Sequence, residues 1–238
     1  MIAAALTDTL SIAHRGCHAG VPENTLPAFE AAVKLGVDGI ETDVRLSGDG
    51  RLVLLHDRVT PRGRPVAELT HAELAEDFGH EVPLLADALD AFPDLLWNIE
   101  IKVPAAAPAM LAAVAGYRES RRLLVTSFQH DIIADYAERL AVDCGLLFAH
   151  RPLDIAALIA GFQRHSRVAS LVWDYDAVDD PVLHAAGTAG WRNYVYGAVT
   201  AAEHQRCRAL RCAGVITDFP WLLSPARPMT RSGGPAVA

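Results

Sequence analysis

Three short runs put polar residues where an apolar strand should end. Ala13-His14-Arg15-Gly16 closes the first apolar segment, Ile40-Glu41-Thr42-Asp43-Val44 occupies the second, and Ile99-Glu100-Ile101-Lys102 closes a third. Side chains alternate faces along a strand, so Glu41 and Asp43 share a side, as do Glu100 and Lys102. Three carboxylates converging at one end of a fold repel one another unless a cation neutralises them. A hard divalent ion held by oxygens, Mg²⁺ or Ca²⁺, is the natural partner. A further run, Leu52-Val53-Leu54-Leu55-His56-Asp57, stops abruptly at His56. With His14 it offers two imidazoles beside a metal, a general base and a general acid near neutral pH, as cleavage of a phosphodiester requires. A metal and a guanidinium would stabilise the phosphate oxygens as charge builds. Taken singly, each group also fits an ordinary ion pair or a satisfied strand end. Their recurrence at three strand ends points to a site. Of the remaining histidines, His18 and His150 fall where the rim of such a site would lie.

These residues need a scaffold. Strand-like runs occur at Leu10–Gly16, Gly39–Leu46, Leu52–His56, Leu95–Lys102, Leu123–Phe128, Cys144–Ala149, Ser170–Tyr175, Tyr194–Ala198 and Gly214–Asp218. Helical stretches separate most of them: Thr25–Leu35, Pro83–Ala91, Ala105–Arg118, Asp131–Leu140, Leu153–Arg164, Pro181–Ala189 and Ala201–Ala209. Asn24 or Thr25 is placed to cap the first helix, Pro152 and Pro181 to occupy first turns, and Gly36 to end a helix in a left-handed cap. Alternating strands and helices predict a parallel sheet with crossover helices. Eight units in one domain favour an α/β fold of the closed (β/α)8 (TIM) barrel type, whose active sites lie at the C-terminal strand ends. Leu52–His56 is then an extra strand after the second, followed by an insertion, Arg58–Glu81, read as a loop. The competing doubly wound open sheet lacks its mark, since no glycine-rich phosphate loop follows a strand. A single domain is expected over residues 1–223, with 224–238, rich in Ser, Pro, Gly and Ala, as a flexible tail.

Composition narrows the partners. Of 238 residues 51% are hydrophobic, and 21 basic against 29 acidic residues leave a net charge of −8. That balance excludes nonspecific nucleic-acid binding, which rests on neutralising phosphates. Cys17, Cys144, Cys207 and Cys212 form no CxxC pair and are read as small apolar side chains. The stretch Met1–Thr9 lacks the basic start and long apolar core of a secretory signal, and no run of apolar residues is long enough to span a bilayer. A cytoplasmic protein acting on a small molecule is expected; the oligomeric state is not legible.

The runs His14-Arg15-Gly16, Pro22-Glu23-Asn24-Thr25, Ala28-Phe29, Gly36-Val37-Asp38, Ile40-Glu41-Thr42-Asp43-Val44, Asp49-Gly50 and His56-Asp57, in that order, resemble the signature of glycerophosphodiester phosphodiesterases. Glu100-Ile101-Lys102, Ser127-Phe128 and Gly214-Val215-Ile216-Thr217-Asp218-Phe219-Pro220 extend the resemblance to nearly the whole chain. It implies a (β/α)8 barrel that uses a divalent metal to hydrolyse glycerophosphodiesters to glycerol 3-phosphate and an alcohol. Carried over by position, His14 and His56 are the acid/base pair, Glu41, Asp43 and Glu100 hold the metal, and Arg15 and Lys102 contact the substrate phosphate. Glu23 and Asn24 become anchors of the first loop rather than catalysts. Two routes stay open: attack by the glycerol 2-hydroxyl through a cyclic phosphate, or direct attack by water. The chain departs from the family pattern at Tyr194–Ala198, where Tyr196 stands in for a substrate-side aromatic, at Gln129, and in the compact loop after His56. The departure at Tyr194–Ala198 suggests an alternative substrate, a lysophospholipid or another phosphodiester. A non-catalytic barrel would predict a degraded centre, and every expected residue type is present.

Overall fold

The computed structural model describes residues 9–139, 142–162 and 164–223. In chain order the strands are β1 (Leu10–His14), β2 (Gly39–Leu46), β3 (Leu52–Leu54), β4 (Leu96–Ile101), β5 (Arg122–Ser127), β6 (Asp143–Phe148), β7 (Val168–Asp174), β8 (Arg192–Tyr196) and β9 (Gly214–Thr217). Hydrogen-bonded neighbours run β1-β9-β8-β7-β6-β5-β4-β2, and a parallel pairing of β1 with β2 closes the ring. The extra strand β3 lies antiparallel on the outer part of β2. The closed eight-stranded parallel barrel expected from the sequence is thus present. Strand ends shift by one or two residues: β1 stops at His14 and β3 at Leu54.

The helices are α1 (Leu26–Leu35), α2 (His71–Phe78), α3 (Leu85–Ala91), α4 (Ala107–Tyr117), α5 (His130–Arg139), α6 (Ile155–Phe162), α7 (Asp180–Thr188) and α8 (Ala201–Ala209). Local signals set their ends. Thr25, extended, accepts from the Ala28 amide at the start of α1, and Gly36 at φ 76° takes the left-handed C-cap that glycine adopts without steric cost. Asp179 caps α7, with Pro181 in its first turn. Pro152 lies outside α6, before its first residue Ile155.

Alternating strand residues separate two apolar layers. Ile40, Val44, Trp97, Ile99, Val125, Trp173 and Val195 face the helices and belong to the large core. There Phe29 of α1 meets Trp97 edge-on at 5.3 Å between ring centroids. Ile12, Leu96, Leu124, Leu147, Val172, Tyr194 and Ile216 face inward and fill the barrel. Each large side chain so buried stabilises by about 1.5–3 kcal/mol. The filling makes the barrel a plug, so a ligand meets only its ends.

The insertion Arg58–Glu81 is not a uniform loop; it contains α2. Thr70 accepts from the Glu73 amide while the Glu73 carboxylate accepts from the Thr70 amide, a reciprocal capping box. Leu74 packs with Val53, Leu55, Val66, Leu69 and Val82 in a separate small core. Asp77, also buried, accepts from Thr60 Oγ1 at 2.7 Å and from the Arg64 guanidinium at 2.9 and 2.5 Å, with Arg62 at 3.3 Å. These bonds hold the Asp77 carboxyl at about 2, below the usual carboxylate range, with Arg64 the main cause. Leu74 is the one buried apolar residue of α2, so the sequence shows no helical period there; Thr70 and Glu73 were the available signal. No helix among the described residues is long and apolar enough to cross a membrane. The tail 224–238 lies outside the described residues.

Candidate active site at the C-terminal mouth of the barrel

Strand register assembles the centre. His14 of β1 lies opposite Glu41 of β2, and Asp43 of β2 lies opposite Glu100 of β4. All four point inward at the C-terminal ends. Glu41, Asp43 and Glu100 are buried, and one ligand oxygen from each lies within 4.8 Å of the others. Above them opens a cavity of ≈ 170 Å³. His14, Arg15, Glu41, His56, Glu100 and Lys102 line one side of it, and Phe128, Leu147, Tyr196 and Ile216 the other, with Asn98 between. The expected histidine pair, the three carboxylates, Arg15, Lys102 and Tyr196 are therefore brought together at this mouth.

The turn after β1 is built for its place. Arg15 adopts φ 55° and Gly16 φ 84°. A Cβ on Gly16 would fall 2.8 Å from the Ala28 carbonyl carbon, so only glycine fits between the turn and α1. A left-handed arginine stores strain on the order of 1–3 kcal/mol, the kind that clusters at functional sites. Arg15 is held by its amide, which donates to the Glu41 carbonyl at 2.9 Å, and by ion pairs to Glu23 at 2.8 Å and Asp43 at 3.1 Å. Asn24, likewise at φ 55° and buried, donates from Nδ2 to Asp43 Oδ2 at 3.0 Å and accepts from Thr42 Oγ1 at 2.7 Å. It is therefore an anchor, as expected, but an anchor of a cluster carboxylate. Lys102 Nζ bridges Glu100 Oε1 at 2.8 Å and Asp43 Oδ1 at 3.2 Å. Gln129, a departure from the family pattern, donates to the Lys102 carbonyl at 3.3 Å.

The electrostatics are unequal across the cluster. Burial pushes the Glu41 carboxyl well above the usual range, and the charges of Asp43 and Glu100 push it further. Burial and Asp43 also raise Glu100, against the pull of Lys102. Burial acts on Asp43 too, but Lys102, Arg15 and the Asn24 amide together hold it below its ordinary value. Asp43 Oδ1 is buried without a hydrogen bond of good geometry, its near neighbour being the Lys102 ammonium. Three clustered carboxylates, one of them with an oxygen whose near neighbour is an ammonium and one driven toward protonation by burial and its neighbours, fit a hard divalent cation.

Both histidines hold an acid through Nδ1. His14 Nδ1 is 2.7 Å from Asp218 Oδ1, and its Nε2 is 3.9 Å from Glu41 Oε2. His56, just past β3, has Nδ1 2.9 Å from Asp57 Oδ1, and its carbonyl accepts from Arg45 Nε at 2.8 Å. The opposite side is apolar. Phe128 meets Tyr196 edge-on at 6.3 Å, and the Tyr196 hydroxyl donates to the Phe148 carbonyl at 3.3 Å. Burial and then Asp174 raise the Tyr196 hydroxyl pKa.

Asn98 and Leu147 belong to none of the sequence runs that carry chemistry, and Asp218 and Phe128 enter only through the resemblance, without a role. Asp218 ends the apolar run of β9 as abruptly as His14 ends β1, so the same signal could have found it. His18 does not line the cavity; its Nε2 lies 3.1 Å from Asp218 Oδ1. His150 instead lines a separate open hollow beside Arg151 and Asp179.

Residues 14–222 match the sequence profile of the glycerophosphoryl diester phosphodiesterase family. A glycerophosphodiester phosphodiesterase of Caldanaerobacter subterraneus is 33% identical to this chain, with 95% of this chain and 99% of that protein covered. Among solved structures, a glycerophosphodiester phosphodiesterase from Thermotoga maritima superimposes with a TM-score of 0.79 at 28% identity, covering 90% of this chain and 96% of its own. An Oleispira antarctica phosphodiesterase in complex with sn-glycerol-3-phosphate shares the fold, with a TM-score of 0.79 at 21% identity over 91% of this chain and 95% of that one.

Proposed function

Because the chain belongs to the glycerophosphoryl diester phosphodiesterase family, we propose that it hydrolyses glycerophosphodiesters to glycerol 3-phosphate and an alcohol at the mouth just described. The observation that carries this reading is the convergence of two histidines, three carboxylates and two cations on one cavity. Glu41, Asp43 and Glu100 hold the metal, Mg²⁺ or Ca²⁺, which when bound supplies electrostatic stabilisation of the phosphate oxygens. Three carboxylates against Arg15 and Lys102 leave one negative charge in the inner group. A dication turns that into one positive charge, the complement of a singly charged phosphodiester.

His14 and His56 carry the protons, one removing a proton from the attacking oxygen, either water directly or the glycerol 2-hydroxyl followed by water opening the cyclic phosphate, and the other protonating the leaving alcohol. Arg15 and Lys102, which line the same cavity, would contact the phosphate oxygens, and Tyr196 would lie on the alcohol side. The product bound to the Oleispira antarctica phosphodiesterase, sn-glycerol-3-phosphate, is the one this chemistry would release. The four cysteines are unpaired, which fits the reducing cytoplasm.

The test is a panel of glycerophosphodiesters with Mg²⁺ or Ca²⁺, following glycerol 3-phosphate. Release with at least one head group is expected, and none from pure folded protein with either metal would sink the reading. A substrate lacking the 2-hydroxyl separates the routes: lost turnover supports the cyclic phosphate, and unchanged turnover supports direct attack by water. The apolar wall of Phe128, Leu147, Tyr196 and Ile216 favours a second reading, hydrolysis of a lysophospholipid at the same centre. Faster turnover of lysophosphatidylcholine than of glycerophosphocholine would establish it.

A further inference from the structure

We infer that Asp218 is a positioning residue for His14: clamped by His18, it keeps the His14 proton on Nδ1 and leaves Nε2 bare toward the carboxylate cluster. The inference rests on the reading of His14 as a proton-transfer group, and part of its test is independent of that reading.

The placement follows from the closing seam of the barrel. β9 and β1 are neighbours, with Ala13 opposite Thr217, so His14 and Asp218 form the next pair along the two strands. Their contact of 2.7 Å is the length of a charge-assisted N–H···O⁻ bond. His14 Nδ1 and then His18 hold the Asp218 carboxyl at about 2, against the effect of burial. An ionised carboxylate only accepts, so the nitrogen facing it must donate. Neutral His14 then has its lone pair on Nε2, the atom 3.9 Å from Glu41 Oε2. The opposite tautomer would present an N–H there and could not take a proton.

Asp218 is itself held from two sides. His18 Nε2 lies 3.1 Å from the same Oδ1 that faces His14, which restricts rotation of a half-exposed carboxylate. On the strand below, Thr217 Oγ1 accepts from the Phe219 amide at 2.9 Å and contacts buried His204 Nε2 at 2.8 Å, fixing the backbone on both sides of Asp218. Among the described residues His56 has no comparable support. Its acid is the adjacent Asp57, whose side chain is 75% exposed. The two histidines are thus orientated to different degrees, and Asp218 with His18 makes the difference.

Two readouts test this on the full-length protein. Long-range ¹H–¹⁵N spectra of the histidine rings at alkaline pH, recorded without metal, should show His14 as the Nδ1–H tautomer in the wild type. Asp218→Asn, nearly isosteric but uncharged, should lose that signature. In kinetics with glycerophosphocholine, Asp218→Asn should lower kcat by at least about tenfold, with KM moving less than about twofold, as for other orienting partners of functional histidines. His18→Ala should lower kcat less, and His18→Gln, which keeps an N–H donor, should restore most of the loss. An Nδ1–H signature that survives Asp218→Asn overturns the inference, as does a kcat unchanged in that variant. Equal activity of His18→Ala and wild type overturns the clamp, and stays decisive should Asp218→Asn fail to fold. A wild type inactive on every substrate would overturn the proposed function, while the tautomer spectra would still decide the role of Asp218.

Discussion

The cavity at the barrel mouth has two unlike halves. The arc made by the ends of β1, β2 and β4, with the segment after β3, supplies the two imidazoles and every carboxylate and cation lining it: His14, Arg15, Glu41, His56, Glu100 and Lys102. The arc made by β5, β6, β8 and β9 supplies Phe128, Leu147, Tyr196 and Ile216. The first half is tied together by strand register and by side-chain bonds such as Asn24 to Asp43, so its atoms are fixed to the backbone. The second rests on packing, with Phe128 partly exposed and touching Tyr196 edge-on. Chemistry that needs charges placed within fractions of an ångström belongs in the first arrangement. Discrimination between alcohols can be retuned in the second without disturbing the first.

If the halves divide chemistry from recognition, damage to them should differ in kind. The largest effect is expected from His14→Ala and His56→Ala, each lowering kcat by about 10²–10⁴-fold, the usual contribution of a proton-transfer group. Circular dichroism should show both variants folded, since both side chains are partly exposed. Next comes the support of the metal ligand. Asn24→Ala removes the amide from Asp43 and should weaken Mg²⁺ or Ca²⁺ binding, read by calorimetry, by about 10–100-fold. Cluster affinity equal to wild type in that variant would show Asp43 to be held by its ion pairs alone. Phe128→Ala should instead leave the metal titration unmoved while changing the ratio of kcat/KM between two leaving alcohols by roughly tenfold, the scale of a lost apolar contact in a specificity pocket. A uniform loss on all substrates would break the division between halves.

The smallest effect concerns the insertion that follows His56. Asp77 has its carboxyl lowered to about 2, chiefly by the Arg64 hydrogen bonds. A carboxylate held below its unfolded value stabilises the fold above that value, and the stabilisation disappears as pH falls from roughly 4 toward 2. Protection factors of amides in 60–78, corrected for intrinsic exchange, should fall over that window in the wild type. Asp77→Asn should start with lower protection and show a flatter dependence.

The two halves also differed in what the sequence disclosed. Polar residues at strand ends break the rule that barrel strands are apolar, so Glu41, Asp43, Glu100, Lys102 and His14 stood out, and period two placed them on one face. Leu147 obeys the same rule and carried no signal, and Phe128 stood out only within the family resemblance, although both line the cavity. Asn24 was read as an anchor, but its partner Asp43 is nineteen residues away and only the fold brings the two together. Asp218 announced itself at the end of β9, yet its pairing with His14 spans 204 positions and required the closing seam of the barrel. The barrel was readable from strand–helix alternation. The helix α2 was not, because a short polar helix with one buried apolar residue has no period to read.

The central claim is that the charged half, loaded with a divalent cation, cleaves a glycerophosphodiester through its two histidines. The most direct measurement follows the phosphorus of glycerophosphocholine by ³¹P NMR, with Mg²⁺ or Ca²⁺, with chelator, and with His56→Ala in place of the wild type. The predicted result is a glycerol 3-phosphate resonance that grows only with wild-type protein and added metal. Equal growth in chelator, or in the His56→Ala sample, would contradict it.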